Sequence, residues 1–159
     1  MGLTPTGGIP MSTRSGDLDP GVLIYLLRNE KLSADALEQL LNRQCGLFAF
    51  SNGESDMQAL LAREAANDPT AALAIDAFCT AIRKFIGGYA ALMGGLDLLV
   101  FTGGIGQHSA PIRTRICKNL AFLGLDPADP ATGNTNKVLA LPSQEDLQIA
   151  RHTRVLLGT

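Results

Sequence analysis

Leu96-Asp97-Leu98-Leu99-Val100-Phe101-Thr102-Gly103-Gly104-Ile105-Gly106 is the stretch on which the reading of this 159-residue sequence turns. Residues 96–101 are apolar except for Asp97 and include Val and Phe, a run short enough for a parallel strand buried on both faces. A glycine turn follows at once, and residues 110–120 are compatible with a helix. Upstream, Asp68-Pro69 gives an N-cap and a proline at the first helical position. Ala71, Ile75, Phe78, Ile82, Phe85, Tyr89 and Met93 then recur by threes and fours, a stripe expected to be core, before Gly94-Gly95 stops the helix. Long helix, buried strand, glycine turn and helix is the layout of an α/β domain.

Outward from that centre the signals are local. Residues 1–20, with Pro5, Gly7, Gly8, Pro10 and Gly16, read as a loop. Asp19-Pro20 opens a short helix carrying Val22, Leu23, Leu26 and Leu27 and ending near Arg28 or Asn29. Ser33 caps a second helix, with Leu37, Leu40 and Leu41 on one face and Asp35 where the helix dipole favours an anion, so the two should form a hairpin. Residues 45–51, short and aromatic, suit a buried strand or an irregular crossing, and residues 56–63 a short helix. A loop with Pro127, Pro130, Gly133 and residues 134–136 precedes a last strand at 138–141. A closing helix at 143–157 has Ser143 and Asp146 at capping-box spacing.

Composition sets the outer limits. With 46% hydrophobic and 18% charged residues the chain is about one domain's worth and buries a sizeable core. Thirteen Lys plus Arg against fifteen Asp plus Glu, net charge -2, lack the basic excess that nucleic acid demands. No apolar run approaches the roughly 20 residues of a membrane span, and Met1-Gly2-Leu3-Thr4-Pro5 lacks a signal-peptide layout, so a soluble cytoplasmic protein is expected. Cys45, Cys79 and Cys117 form no CxxC pair and read as small buried hydrophobes. His108 and His152 are near no nucleophile in a recognised setting, so a hydrolase triad finds no support.

Three places could carry chemistry. The glycine turn lets backbone N–H groups approach an anionic or planar ligand, although a tight turn needing positive φ explains it as well. It is neither a GxxxxGK[ST] loop nor a complete GxGxxG fingerprint, and no acidic residue closes a second strand about 20 residues on, which argues against a dinucleotide-binding domain. Arg14, in Thr13-Arg14-Ser15-Gly16-Asp17, is a permanently charged fork suited to a phosphoryl group, or else a surface partner of Asp17 and Asp19. Glu145 lies in the first turn of the last helix, where the dipole alone accounts for a carboxylate.

Taken in order, these segments resemble the acetate kinase family, in its carboxy-terminal portion. Residues 1–5 resemble its M-G-[FL]-T-P, residues 13–20 its T-R-S-G-D-[IVL]-D-P, and Ser55-Asp56-Met57 its S-D-[MF]-R loop. Residues 100–106 resemble V-F-T-[AG]-G-I-G, and residues 145–151 resemble E-E-L-x-I-A-R. The resemblance implies a partial ribonuclease-H-like domain of the actin, sugar-kinase and chaperone-ATPase type, helix-rich with a small, incomplete sheet, over residues 1–159. It implies ATP/ADP and Mg²⁺ as cofactors and transfer of the γ-phosphoryl to a short-chain carboxylate, giving acetyl phosphate. By the same resemblance Arg14 stabilises the transferring phosphoryl, Asp56, Met57, Gly104, Ile105 and Gly106 flank the adenosine, and Glu145 helps hold Mg²⁺. Gln58 and Gln107-His108 depart from the family's arginine and its G-I-G-E-N, which puts two nucleotide contacts in question. The family's amino-terminal domain has no counterpart here, so the chain is expected to be inactive alone, with an exposed sheet edge and an apolar face covered by another chain. The expected partners are a second copy, as a homodimer, or a missing amino-terminal half; the alternative is a non-catalytic nucleotide-binding or interaction module that keeps the fold.

Overall fold

The computed structural model describes residues 3–125 and 137–158. The chain divides into two compact units, Met1–Tyr89 and Ala90–Thr159.

The first unit opens on irregular chain and then runs through helices whose starts follow the sequence signals. The Asp19 carboxylate accepts from the Gly21 N–H at 2.8 Å and starts α1 (Pro20–Arg28). The Ser33 hydroxyl accepts from the Ala36 N–H at 3.1 Å and starts α2 (Ala34–Arg43), which packs on α1. Asp56 caps α4 (Met57–Ala65) through the Ala59 N–H at 2.9 Å. The long helix α5 (Pro69–Met93) contains the boundary between the units and stops before Gly94 and Gly95, both at positive φ.

Residues 45–51 are neither strand nor irregular crossing: they hold a short helix, α3 (Gly46–Phe50). Its first amides have no side-chain cap. They bond instead to the distant loop at residues 11–13, with Cys45, Leu47 and Phe48 N–H donating to the carbonyls of Thr13, Met11 and Ser12 at 3.0, 2.9 and 3.0 Å. The α5 stripe is core only in its first half. Ala71, Ile75 and Phe78 are buried with Ala74 and Cys79, Ile82 and Phe85 are half-buried, and Tyr89 and Met93 are exposed at 58% and 64%. The Phe85 and Tyr89 rings, one turn apart, meet at 6.2 Å.

In the second unit β1 (Leu99–Phe101) pairs in parallel with β2 (Val138–Ala140), Leu99 opposite Val138 and Phe101 opposite Ala140. This is the whole sheet among the described residues. β1 is not buried on both faces: Phe101 is buried, whereas Leu98 and Val100 are exposed at 44% and 43%. The glycine turn is itself a helix, α6 (Gly103–His108), followed by α7 (Ala110–Cys117) and a 3₁₀ turn at Ala121–Leu123. The buried residues here include Ile112, Ile116, Cys117, Leu120, Leu125 and Val138. The loop with Pro127, Pro130, Gly133 and residues 134–136 lies outside the described residues.

The last helix, α8 (Glu145–Leu157), starts two residues later than the sequence suggests. Gln144 occupies the cap position without a side-chain bond, so the Ser143–Asp146 capping box does not form. Every residue of α8 is exposed, and Ile149, Val155, Leu156 and Leu157 leave apolar surface uncovered. Among the described residues nothing buries this helix start. Cys79 and Cys117 are buried as expected, while Cys45 is half-buried.

Candidate functional site

Arg14 sits in a loop fixed from several sides by main-chain hydrogen bonds. Ser15 N–H donates to Leu41 carbonyl at 3.0 Å, the Thr13 hydroxyl to Asn42 carbonyl at 2.9 Å, and Met11 N–H to the carbonyl of Arg14 itself at 3.1 Å. Asp17 closes the loop: its N–H donates to Gly8 carbonyl at 2.8 Å, and its carboxylate accepts from Gly8 N–H at 2.7 Å. The two aspartates that rival a ligand for the guanidinium are thus both engaged by backbone amides, Asp17 by Gly8 and Asp19 by Gly21. Among the described residues Arg14 enters no ion pair. It borders an open hollow of about 1000 Å³ whose rim includes Thr4, Thr6, Asp35, Asn42 and Arg43.

Asp56 stands exposed at the mouth of a rigid turn. The Glu54 carboxylate accepts from both Ser55 and Asp56 N–H at 2.8 Å. Behind it the fully buried Ser51 hydroxyl donates to Glu54 carbonyl at 2.6 Å and accepts from Glu54 N–H at 2.9 Å. Arg63 completes the support, donating to Ser51 carbonyl at 2.9 Å and to the Asp68 carboxylate at 2.8 Å. Hydrogen bonds from Thr70 foremost, and then from Arg63, hold the Asp68 carboxyl well below the usual carboxylate range. Met57 is 4% exposed, so its side chain packs in the core and only its backbone borders the exposed turn. Gln58 lies exposed on α4. Sequence reasoning finds Asp68 as a cap and misses Arg63, because that residue's role depends on a carbonyl twelve residues back.

The glycine segment in the second unit is more informative in space than in sequence. Gly103 has φ +73°, a conformation that favours glycine. Gly104 and Gly106 do not: their φ is not positive, and both lie inside α6. A Cβ at 104 would meet nothing within 4 Å, and one at 106 would touch Phe101 at an ordinary 3.5 Å. Glycine in a helix costs about 1 kcal/mol relative to alanine, and neither conformation nor packing requires it at these two positions. What glycine supplies at 104, where the Cβ position faces open space, is close access to the backbone from outside. Ile105 and Gln107 are half-buried beside them, and His108 is exposed.

Glu145 is the exposed first residue of α8. The parallel register relates it to the glycine segment: Phe101 and Ala140 are paired, Leu141 N–H donates to Phe101 carbonyl at 2.9 Å, and both chains leave the sheet at its carboxyl end. α6 begins two residues beyond Phe101, and Glu145 follows Ala140 by five. Ligands of open α/β sheets bind outside the carboxyl ends of the strands. Among the described residues no group of three or more His, Cys, Asp or Glu is placed to hold a metal. A single exposed carboxylate fits Mg²⁺ in one mode, with phosphate oxygens and water filling the octahedron. Arg14 and Asp56 belong to the first unit, the glycine segment and Glu145 to the second.

A helix-rich chain with a parallel strand pair and a glycine-bearing helix at its carboxyl end is part of a ribonuclease-H-like α/β domain of the actin and sugar-kinase type. The chain belongs to the acetokinase family, whose sequence model matches residues 1–151. An acetate kinase of Treponema denticola is 42% identical over 170 residues, covering 99% of this chain and 43% of that protein. One from Clostridium acetobutylicum is 41% identical over 172 residues, with the same coverage, 99% and 43%. The crystal structure of Porphyromonas gingivalis acetate kinase superposes with a TM-score of 0.88 at 34% identity, over 99% of this chain and 43% of that one. A propionate kinase from Francisella tularensis gives 0.85 at 35%, over 95% and 41%. The chain therefore spans less than half the length of these relatives.

Proposed function

We propose that this chain is the nucleotide-side part of an acetate kinase, which passes the γ-phosphoryl of ATP to a carboxylate oxygen of acetate and releases acetyl phosphate and ADP. In that transfer the bond between the γ-phosphorus and the β–γ bridging oxygen breaks as a bond to the acetate oxygen forms, with no proton moved. The observation that carries the reading is the pair of helical glycines, Gly104 and Gly106, needed by neither conformation nor packing and lying at the carboxyl end of the parallel strands. Their bare backbone suits the flat face of an adenosine, with Ile105 alongside. By the family resemblance the exposed turn at Asp56 and Met57, in the first unit, is assigned to nucleotide binding.

Arg14 is assigned to the transferring phosphoryl. Its loop is held by backbone bonds and its neighbouring aspartates are engaged elsewhere, so a planar cationic fork is available for equatorial oxygens where charge accumulates. Preorganised charge of this kind lowers a barrier without reorganisation during the reaction. Glu145, with phosphate oxygens and water, would hold Mg²⁺, which supplies charge neutralisation to the nucleotide when bound. The remaining groups, including the acetate pocket, are assigned to the length of the relatives that this chain does not span, so the 159 residues alone bind MgADP without turnover. The uncovered apolar surface of α8 favours association with that remainder or with a second copy. Three free thiols, two of them buried, favour a reducing compartment such as the cytoplasm.

Calorimetry with MgADP, run beside hydroxamate trapping of acetyl phosphate, tests the reading. Saturable heat without hydroxamate is the expected pair. Hydroxamate from the chain alone would overturn the assignment of essential groups elsewhere. Absence of both signals would overturn nucleotide binding itself and leave an interaction module.

A further inference from the structure

α6 has six residues, too few to be stable by itself, yet it carries the glycines assigned above to the nucleotide. The carbonyls of its last turn have no partners within it, and buried or half-buried carbonyls need them. Three of these carbonyls, those of Ile105, Gly106 and Gln107, find partners on the α7 side of the corner. Ser109 N–H donates to Ile105 carbonyl at 3.0 Å. The Nη1 of Arg113 donates to Gly106 carbonyl at 3.0 Å and to Gln107 carbonyl at 2.8 Å. Arg113 is in turn fixed on α7, where its own N–H donates to Ser109 carbonyl at 3.1 Å and its neighbours Ile112 and Ile116 are 1% and 2% exposed.

We infer that Arg113 is a positioning residue for nucleotide binding: through one guanidinium nitrogen it clamps the Gly106 and Gln107 carbonyls to buried α7 and so sets the orientation of the Gly104–Gly106 backbone. This role rests on the proposed nucleotide reading. It is chemically reasonable, because a permanently charged donor bonds a carbonyl more strongly than a neutral one and also suits the negative end of a helix.

The test compares the full chain with Arg113→Ala, Arg113→Gln and Arg113→Lys, measuring affinity for MgADP and for magnesium pyrophosphate by calorimetry. Loss of the two charged hydrogen bonds should weaken MgADP about tenfold in Arg113→Ala. Pyrophosphate, which has no adenosine to contact the glycine segment, should be unaffected, and Arg113→Lys, which keeps a cationic donor, should recover most of the loss. Arg113→Gln, with a neutral donor on a shorter stem, keeps the comparison open if the alanine variant does not fold. MgADP affinity unchanged in the alanine or glutamine variant would overturn the inference, as would equal loss of both ligands. If the unsubstituted chain takes no MgADP, the nucleotide reading has failed, and the positioning role falls with it.

Discussion

Replacing Gly46 by alanine should damage the Arg14 loop severely. Gly46 has φ +64°, and a Cβ built there presses on the carbonyl oxygen of Met11 and lies 2.6 Å from that of Arg14. The left-handed conformation costs a non-glycine residue about 1–2 kcal/mol. The oxygen atoms met are backbone, so the loop must retreat, at about 1–3 kcal/mol for overpacking. Retreat also weakens the bonds from Cys45, Leu47 and Phe48 N–H to residues 11–13, each contributing about 0.5–1.5 kcal/mol. With partial relaxation the expected loss is about 3–5 kcal/mol, a large part of the about 5–15 kcal/mol of an ordinary domain. Urea unfolding followed by circular dichroism measures the loss, and hydrogen exchange at residues 11–17 and 45–48 locates it. A loss below about 1 kcal/mol with unchanged protection in both segments would refute the reasoning that this glycine seats the loop.

Further outcomes follow from the same geometry. Gly87→Ala on α5, where a Cβ meets nothing within 4 Å and φ is not positive, should stabilise the chain by about 0.5–1 kcal/mol, read as a raised unfolding midpoint. Asp68, with its carboxyl lowered by Thr70 and Arg63, contributes stability that is present above about pH 4 and is lost as pH falls through its folded value. Asp68→Asn should therefore flatten the acid limb of the unfolding midpoint against pH, and an unchanged limb would count against the Arg63–Asp68–Thr70 support. Burial pushes the Cys117 thiol up to about 11, partly opposed by Arg113. Its protonated form favours the fold, so stability should be constant below about pH 8.5 and fall as pH rises towards the folded value. In the native chain at about pH 8 iodoacetamide should leave Cys117 unmodified, whereas in denaturant it should react.

Helix starts were readable because their causes are local. Asp19-Pro20, Ser33, Asp56 and Asp68-Pro69 each place an oxygen or a fixed φ within three residues of the amides they serve. α3 was not readable, since its first amides are satisfied by carbonyls more than thirty residues earlier. The α5 stripe shows a second limit. Periodicity from Ala71 to Met93 is continuous, but burial depends on what lies opposite, and the described chain covers only the first half. Of the candidate site, the glycine segment was legible as a place and illegible as a conformation: sequence left open a tight turn with positive φ, and the backbone confines that need to Gly103. Arg14 was legible as a charge, but its release from Asp17 and Asp19 depends on backbone bonds that spacing does not show. Arg63 and Arg113 were missed because the carbonyls they hold, of Ser51 for one and of Gly106 and Gln107 for the other, carry no sequence signal.

The central claim is that the Gly104–Gly106 backbone receives a nucleotide, and at 16.8 kDa the chain is small enough for amide-resolved NMR titration with MgADP. The account predicts that the largest saturable shifts fall on Gly104, Ile105, Gly106 and Gln107, and that Gly104→Ala, whose methyl group would stand in open space, abolishes them while leaving the rest of the spectrum in place. Shifts confined to the hollow beside α1 and α2, or none at saturating MgADP, would contradict it.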